Sequence, residues 1–328
     1  MTLKIAFAGF RHGHIFGLYN KAKESPELEI VACCEEDEAT RAKLSVQADW
    51  SDYDKMLAEV PCDIVAVGDY YGKRGSTLIR ALKAGKHVIA DKPICTSLEE
   101  LAEIEKLAQA NNLKVSCQLD LRTAVNMTGA RNLIQSGALG DIQAIQFGGQ
   151  HPLMYGTRPG WYFEEGKHGG TINDIAIHGI DLIPWMTGLK FTEVVAARTW
   201  NAFATECPKF NDAGQFMLKM DNGCGVLGDV SYFAPNSCGF SLPYYWRFTV
   251  WGTKGVAEFN LSDAGVKFAA NGTTGISILA QPSSVGPDYL TEFLADIAGR
   301  PGELDTPTVI ESARNTLKIQ QAADRGNQ

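Results

Sequence analysis

Short apolar runs alternate with helical segments over the first 120 residues, and this rhythm limits the possible folds more than any other feature of the chain. "LKIAFAGF" (3–10), "LEIVACCEE" (28–36), "CDIVAVGD" (62–69), "KHVIADKP" (86–93) and "LKVSCQLD" (113–120) read as buried strands. Between them, "GHIFGLYNKAKES", "DEATRAKLSVQAD", "YDKMLAEV", "RGSTLIRALKAG" and "TSLEELAEIEKLAQANN" read as helices. Gly85 is placed to end one helix, and Ser97 with Glu100 forms a capping box that opens the next. Strands separated by helices of this length require right-handed crossovers. The expectation is an α/β chain that begins with a doubly wound parallel sheet.

After about residue 122 the rhythm changes. "NMTGARNLIQSGAL" reads as a helix, "IQAIQFGGQ" as a strand, and a Gly/Pro-rich loop (152–170) follows. From 191 to 279 the text is strand-like, with hairpin turn signals at "DNG" (221–223) and "NGT" (271–273). Helices return at "YLTEFLADIAG" and "TPTVIESARNTLKIQQAAD". This pattern predicts a first domain over 1–121 and a second, α+β domain over 122–328 with a large, mostly antiparallel sheet. No polar linker marks the boundary, which rests on the change of rhythm.

The net charge of −8 and the pI of about 5.3 argue against a nucleic-acid partner. The start, "MTLKIAFAGF", runs straight into a strand with no signal peptide, and no apolar run is long enough to span a bilayer. The eight cysteines form no C-x-x-C pair, which removes the zinc-ribbon and thioredoxin-type readings. The expected setting is a reducing cytoplasm with a small-molecule ligand and no membrane.

The first strand runs into "AGFRHGHIFG", with Gly9, Gly13 and Gly17 spaced four apart and Arg11 where a dinucleotide fingerprint would carry its second glycine. Strand, glycine turn and helix at the chain start fit a dinucleotide site, with the helix N-terminus facing a pyrophosphate. Glu35 closes the second strand 26 residues after Gly9 and is placed to accept hydrogen bonds from ribose hydroxyls. With Glu36 and Asp37 beside it, the acidic run repels a 2′-phosphate, so NAD is expected before NADP. His12 and His14 share the loop and read as exposed histidines; a phosphate or substrate could reach them, and His12 is counted among the cofactor candidates. Asp69 ends the third strand and joins Gly9, Arg11, Gly13 and Glu35 in that set.

"ADKP" places Lys92 at the end of the fourth strand, where ligands of open α/β sheets bind, and Pro93 keeps Lys92 extended. A lysine there can hydrogen-bond a hydroxyl being oxidised or a carbonyl being reduced. Further on, "GGTINDIAIHGIDLIPWMTG" (169–188) is mostly apolar yet carries Asp174, His178 and Asp181, which helical spacing puts on one face. Asp181 is expected to hold His178 or nearby backbone, and Pro184 to end or kink the helix. The loop before it offers His151, Arg158 and Trp161, and Tyr232 follows "GDVS"; aromatic and polar groups together suit sugar recognition. No cluster with metal-ligand spacing stands out, and no metal is expected.

The segment "ALKAGKHVIADKPICTSLEELAEIEKLAQANNLKV" resembles the corresponding run of the family of glucose–fructose oxidoreductase, inositol 2-dehydrogenase and MocA-like proteins, with Asp91 where that family has Glu. "GGTINDIAIHGIDL" and "LIQSGALGDIQAIQF" are similar to its helix and to the start of its second domain. The resemblance covers essentially the whole chain. It implies a Rossmann domain followed by an α+β domain, NAD(P)-dependent oxidation or reduction of a sugar or polyol, and a homodimer or homotetramer. It maps catalytic roles onto Lys92, Asp174 and His178, and leaves open whether His178 or Lys92 is the base. The chain departs from the family at "GDYYGKR" (68–74), where Thr-Pro-Asn is usual. Two other readings compete: a glycoside hydrolase that retains NAD, and a non-enzymatic NAD-binding regulator.

Overall fold

The computed structural model describes residues 2–326. In chain order the elements are β1 (Leu3–Ala8), α1 (Ile15–Glu24), β2 (Leu28–Cys34), α2 (Glu38–Arg41), α3 (Tyr53–Glu59), β3 (Ile64–Val67), α4 (Tyr71–Lys83), β4 (His87–Ala90), α5 (Leu98–Asn111) and β5 (Val115–Cys117). There follow α6 (Val125–Gln135), β6 (Ile142–Pro152), a π turn (Ile172–Ala176), α7 (Ile177–Thr187), β7 (Phe191–Trp200), β8 (Ala213–Met220) and β9 (Gly225–Ala234). The chain closes with β10 (Arg247–Gly252), β11 (Gly255–Phe259), β12 (Val266–Ala270), β13 (Ser277–Leu279), α8 (Tyr289–Ile297) and α9 (Thr306–Gly326). Two compact units result. One holds the residues up to Gln118 with 166–169 and 289–314; the other holds 119–165, 170–288 and the residues from Asn315 on.

The first unit carries a parallel sheet in the order β2-β1-β3-β4-β5. Its strands are short because Ile64–Val67 and Val88–Ala90 are apolar and fully buried, and polar or turn residues bound them. The chain leaves β1 toward β2 on one side and later returns to β3 on the other, so the strand order reverses between β1 and β3. A crevice outside the strand ends at such a switch point is where open α/β sheets bind ligands. Short polar side chains start the helices: Asp37, Asp52 and Ser97 accept the amides of Thr40, Lys55 and Glu100 at 2.8, 3.0 and 3.1 Å. Only half of the expected capping box forms, because the Glu100 carboxylate reaches the amide of Thr96 at 3.5 Å. The helix expected over 37–49 shrinks to Glu38–Arg41. None of its residues is buried, and a helix without a packed face is marginal in water.

The second unit is built on an eight-stranded sheet in the order β13-β12-β11-β10-β6-β9-β8-β7, antiparallel except for the β6–β9 pair. Both predicted turns are hairpin tips, with Gly223 at φ 87° and Gly272 at φ 83°. From Gly214 on, strand β8 alternates, with Phe216, Leu218 and Met220 buried and Gln215, Met217 and Lys219 turned out. Helices α6 and α7 supply apolar side chains to the buried face, where Phe147 and Phe248 stack at 5.5 Å. Each such ring contributes about 1.5–3 kcal/mol by leaving water. Gly179 of α7 lies against Phe147, so close that a Cβ would approach the ring to 2.5 Å. Pro184 does not end α7. The helix runs on to Thr187 and stops at Gly188, which takes the left-handed conformation at φ 74°.

Candidate functional site

In the first unit, the switch point is paved by glycines on both sides. Gly9 has φ 79°, and a Cβ there would stand 2.6 Å from Cβ of Asp69. Gly68 passes so close under α1 that a Cβ would meet Ile15 at 2.4 Å. Gly68 thus supplies a close helix–strand contact at this turn. A Cβ at Gly13 or Gly17 would meet nothing within 4 Å. Such tight backbone, leading into the start of a helix, fits a pyrophosphate.

The acids at the end of β2 divide their work. Glu35 is fully buried; its two oxygens accept the amides of Phe10 at 2.7 Å and Asp37 at 2.9 Å. Burial pushes its carboxyl above the ordinary range despite those donors. Glu36 instead lines a shallow groove with Gly9, Asp69, Lys73, Thr77 and Arg80. Its carboxylate pairs with Lys73 Nζ at 2.5 Å, and Lys73 also lies 3.1 Å from Asp69. Arg11, in place of a second glycine, lies 3.3 Å from Asp69, 3.6 Å from Glu35 and over the Tyr70 ring at 5.1 Å.

Lys92 lies two residues past the end of β4 and is buried, with a cis bond to Pro93. Its loop is fixed by Arg74, a fully buried residue of α4. The Arg74 guanidinium donates to the carbonyls of Asp69, Asp91, Lys92 and Pro93 at 2.8, 2.9, 2.6 and 3.0 Å, and to Asp91 Oδ2 at 2.9 Å. His12, expected to be exposed, is buried. Its Nδ1 meets the Asp91 carboxylate, its Nε2 lies 3.2 Å from the Tyr71 hydroxyl, and His14 Nδ1 lies 3.2 Å from the other oxygen of Asp91. Burial pushes the His12 imidazole down to about 4, against the pull of Asp91. Burial works to raise Asp91, but His12, Arg74 and His14 outweigh it and hold the carboxyl well below its usual range. With His12 neutral near pH 7, its part there is a hydrogen bond, and the Arg74 guanidinium supplies the fixed charge.

The second unit gathers the remaining candidates. The helix carrying Asp174 begins as a π turn over Ile172–Ala176 and becomes α-helical only at Ile177. The amides of Ile172 and Asn173 at its start donate to the side chain of Gln320 at 3.0 and 3.2 Å. At Gly170, φ is 98° and a Cβ would collide with the same glutamine at 2.2 Å. The wider turn lies at Asp174, ahead of the α-helical stretch that carries His178 and Asp181; π turns of this kind are frequent at functional sites. Asp181 has a partner that the spacing did not disclose. It takes both prongs of the Arg122 guanidinium, at 2.8 and 2.6 Å, in a buried pair.

Asp174 is buried and accepts the hydroxyl of Tyr232. Burial first, then the Asp174 charge, hold that phenol well above its ordinary range, so it stays a donor. Arg158 covers the Tyr232 ring at 5.1 Å and the Tyr162 ring at 4.6 Å while donating to the carbonyls of Leu153 and Pro152 at 3.0 and 2.7 Å. His151 belongs to the extended end of β6 and is ringed by Tyr232, Phe240, Tyr245 and Trp246 at 4.9–6.0 Å. Trp246 also touches His178, with ring centroids 4.8 Å apart. Trp161 is buried and stacks on Tyr162 at 4.1 Å. Asp174, His178, His151, Arg158 and Tyr232 therefore share one aromatic-walled cluster, with Trp161 joined to it through Tyr162. Trp246, the wall between the two histidines, escapes sequence reasoning. Its signal is conformational: a non-glycine residue at φ 54°, packed so close that a Cβ on Gly149 would approach it to 2.7 Å.

Two family models match the chain. One, described as an oxidoreductase family with an NAD-binding Rossmann fold, covers residues 3–119; the other, the GFO/IDH/MocA C-terminal domain, covers 127–258. D-Xylose dehydrogenase of Paenarthrobacter nicotinovorans is 25% identical over 56% of this chain and 51% of its own length. The chain thus spans about half the length of such curated relatives. Inositol 2-dehydrogenase of Salmonella typhimurium is 24% identical over 85% of this chain and 80% of its own length. Among solved structures, an inositol dehydrogenase homolog of Azotobacter vinelandii complexed with NADH and myo-inositol superposes with a TM-score of 0.79 at 19% identity, covering 99% of this chain and 96% of that one. At that identity the likeness speaks for the fold alone.

Proposed function

The chain belongs to the GFO/IDH/MocA family of oxidoreductases, with an NAD-binding Rossmann fold over its first part, and on that premise we propose that it moves a hydride between a nicotinamide and the hydroxyl or carbonyl carbon of a sugar or polyol. The observation that carries the proposal is the seat of Lys92: a buried ammonium at the carboxyl edge of the parallel sheet, on a loop that Arg74 fixes by three carbonyls. Bound NAD supplies the hydride acceptor. Lys92 donates a hydrogen bond to the reacting oxygen and stabilises the negative charge that grows on it. In the second unit, His178 is assigned proton exchange. Asp174, held by Tyr232, accepts a neighbouring substrate hydroxyl, and His151, Arg158 and Trp161 shape the remaining sugar contacts. The first unit serves the coenzyme, the second the substrate and subunit pairing.

Glu36, the acid that lines the groove beside Gly9, takes the ribose hydroxyls in this proposal, because the oxygens of Glu35 already serve the backbone. Its pairing with Lys73 withholds that cation from a 2′-phosphate. A panel of pentoses, hexoses, glucosides and inositols offered with NAD should give NADH with at least one member, and kcat/KM should be at least tenfold lower with NADP. No NADH from any member, or a preference for NADP, contradicts the proposal.

The sheet of the second unit also has an open face. Val195, Met217, Leu227 and Trp251 are exposed there, with Met217 paired across the strands to Leu227. We propose that this face packs against a second copy of the chain, which would cover a patch of a kind monomers seldom expose. Light scattering should report a dimer or tetramer, and Met217→Lys with Leu227→Lys should reduce it to monomer. A monomeric parent protein contradicts this.

A further inference from the structure

The pair of histidines in the glycine turn is not needed by the hydride-transfer proposal, and it is arranged around a single point. We propose that His12, His14 and Asp91 form a binding site for a first-row divalent metal ion, and specifically for zinc. One ligand atom from each residue lies within 4.8 Å of the others. The two imidazoles turn their Nδ1 atoms to different oxygens of the same carboxylate, with ring centroids 4.4 Å apart. Gly13 separates the two histidines in sequence, so both rings leave the same tight turn and bend back toward the end of β4.

The surroundings match what a metal site needs beyond its ligands. A ligating imidazole is held by a partner on its other nitrogen. For His12 that partner is the Tyr71 hydroxyl, 3.2 Å from Nε2. A ligating carboxylate is likewise anchored, and Arg74 holds Asp91 Oδ2 at 2.9 Å. Asp91 and His12 are buried, whereas the His14 side chain is 58% exposed. An ion at roughly 2.0–2.2 Å from each ligand takes the place of the direct contact between His12 and Asp91, so the His12 ring turns slightly off the carboxylate while the exposed His14 arm swings in. As a surface partner for Asp91 alone, an exposed histidine would add little. Two nitrogens and one oxygen suit zinc and its neighbours in the first row, and disfavour magnesium or calcium, which take oxygens. Three protein ligands leave a position open for water or a ligand oxygen. Sequence spacing could not show this site, because Asp91 lies 77 residues beyond His14.

The test uses the full chain, stripped with a chelator and returned to zinc. The wild-type protein should retain one zinc per chain through gel filtration, should take up cobalt with a visible ligand-field band, and should retain no magnesium. His14→Ala, at an exposed position, should keep the thermal unfolding of the metal-free parent yet bind zinc at least tenfold more weakly and lose the cobalt band. A wild-type protein that retains no zinc overturns the proposal. So does a His14→Ala variant that retains the same amount, which would place the ion elsewhere, for instance on cysteine thiols.

Discussion

Replacing Lys92 by alanine should lower kcat on the best sugar or polyol substrate by about 10²–10⁴-fold, the range typical for removing a positioned group that handles the proton or the charge of a reacting oxygen. The fold around it should stay. Arg74 holds the Lys92 loop by backbone carbonyls, including that of Lys92 itself at 2.6 Å, and alanine keeps every one of them. Coenzyme binding should therefore change by no more than a few-fold, because the tight turn at Gly9 and the acid at Glu36 are untouched. Lys92→Arg should not restore the rate, since a planar fork replaces a compact ammonium. Rapid-mixing kinetics with a thermal-shift measurement of NAD binding separates the two effects. Turnover within about tenfold of wild type would remove Lys92 from the chemistry.

How far the sequence discloses this arrangement depends on how local each cause is. β3 and β4 are legible because they are short runs of Ile, Val and Ala buried on both faces, and the caps at Asp37, Asp52 and Ser97 are legible because they act within three residues. The helix over 37–49 is overread because helical spacing says nothing about whether a face finds a partner, and this one finds none. Glu35 and Glu36 are neighbours whose roles differ only because the amides of Phe10 and Asp37 arrive from a turn and a helix start. Spacing in 174–181 gives no sign of the π turn at its start, nor of Arg122, which pairs with Asp181 from 59 residues away. Arg74 reaches Asp91, Lys92 and Pro93 from 17–19 residues away, and Trp246 meets His151 and His178 across the sheet, so no motif announces either.

Arg74→Met should destabilise the protein by about 3–5 kcal/mol, the cost of leaving a buried charge without its partner. Arg74 and Asp91 are both fully buried, and the guanidinium is the fixed cation on that carboxylate. Methionine fills much of the volume but removes every donor, so the carbonyls of Asp69, Asp91, Lys92 and Pro93 lose a buried partner in one step. Arg74→Lys returns the charge without the fork and should recover only part of the loss. The pair Arg74→Met with Asp91→Leu separates the charge from the carbonyls. Removing both ions should recover stability relative to Arg74→Met alone, because an apolar pair has no ionic desolvation to offset. Urea unfolding of the four proteins supplies the comparison, with unchanged slopes as the condition for reading the midpoints. If Arg74→Met costs less than about 1 kcal/mol, water reaches Asp91 in solution. The same guanidinium would then no longer be what fixes the loop bearing Lys92, and the geometric basis of the proposed chemistry would fall with it.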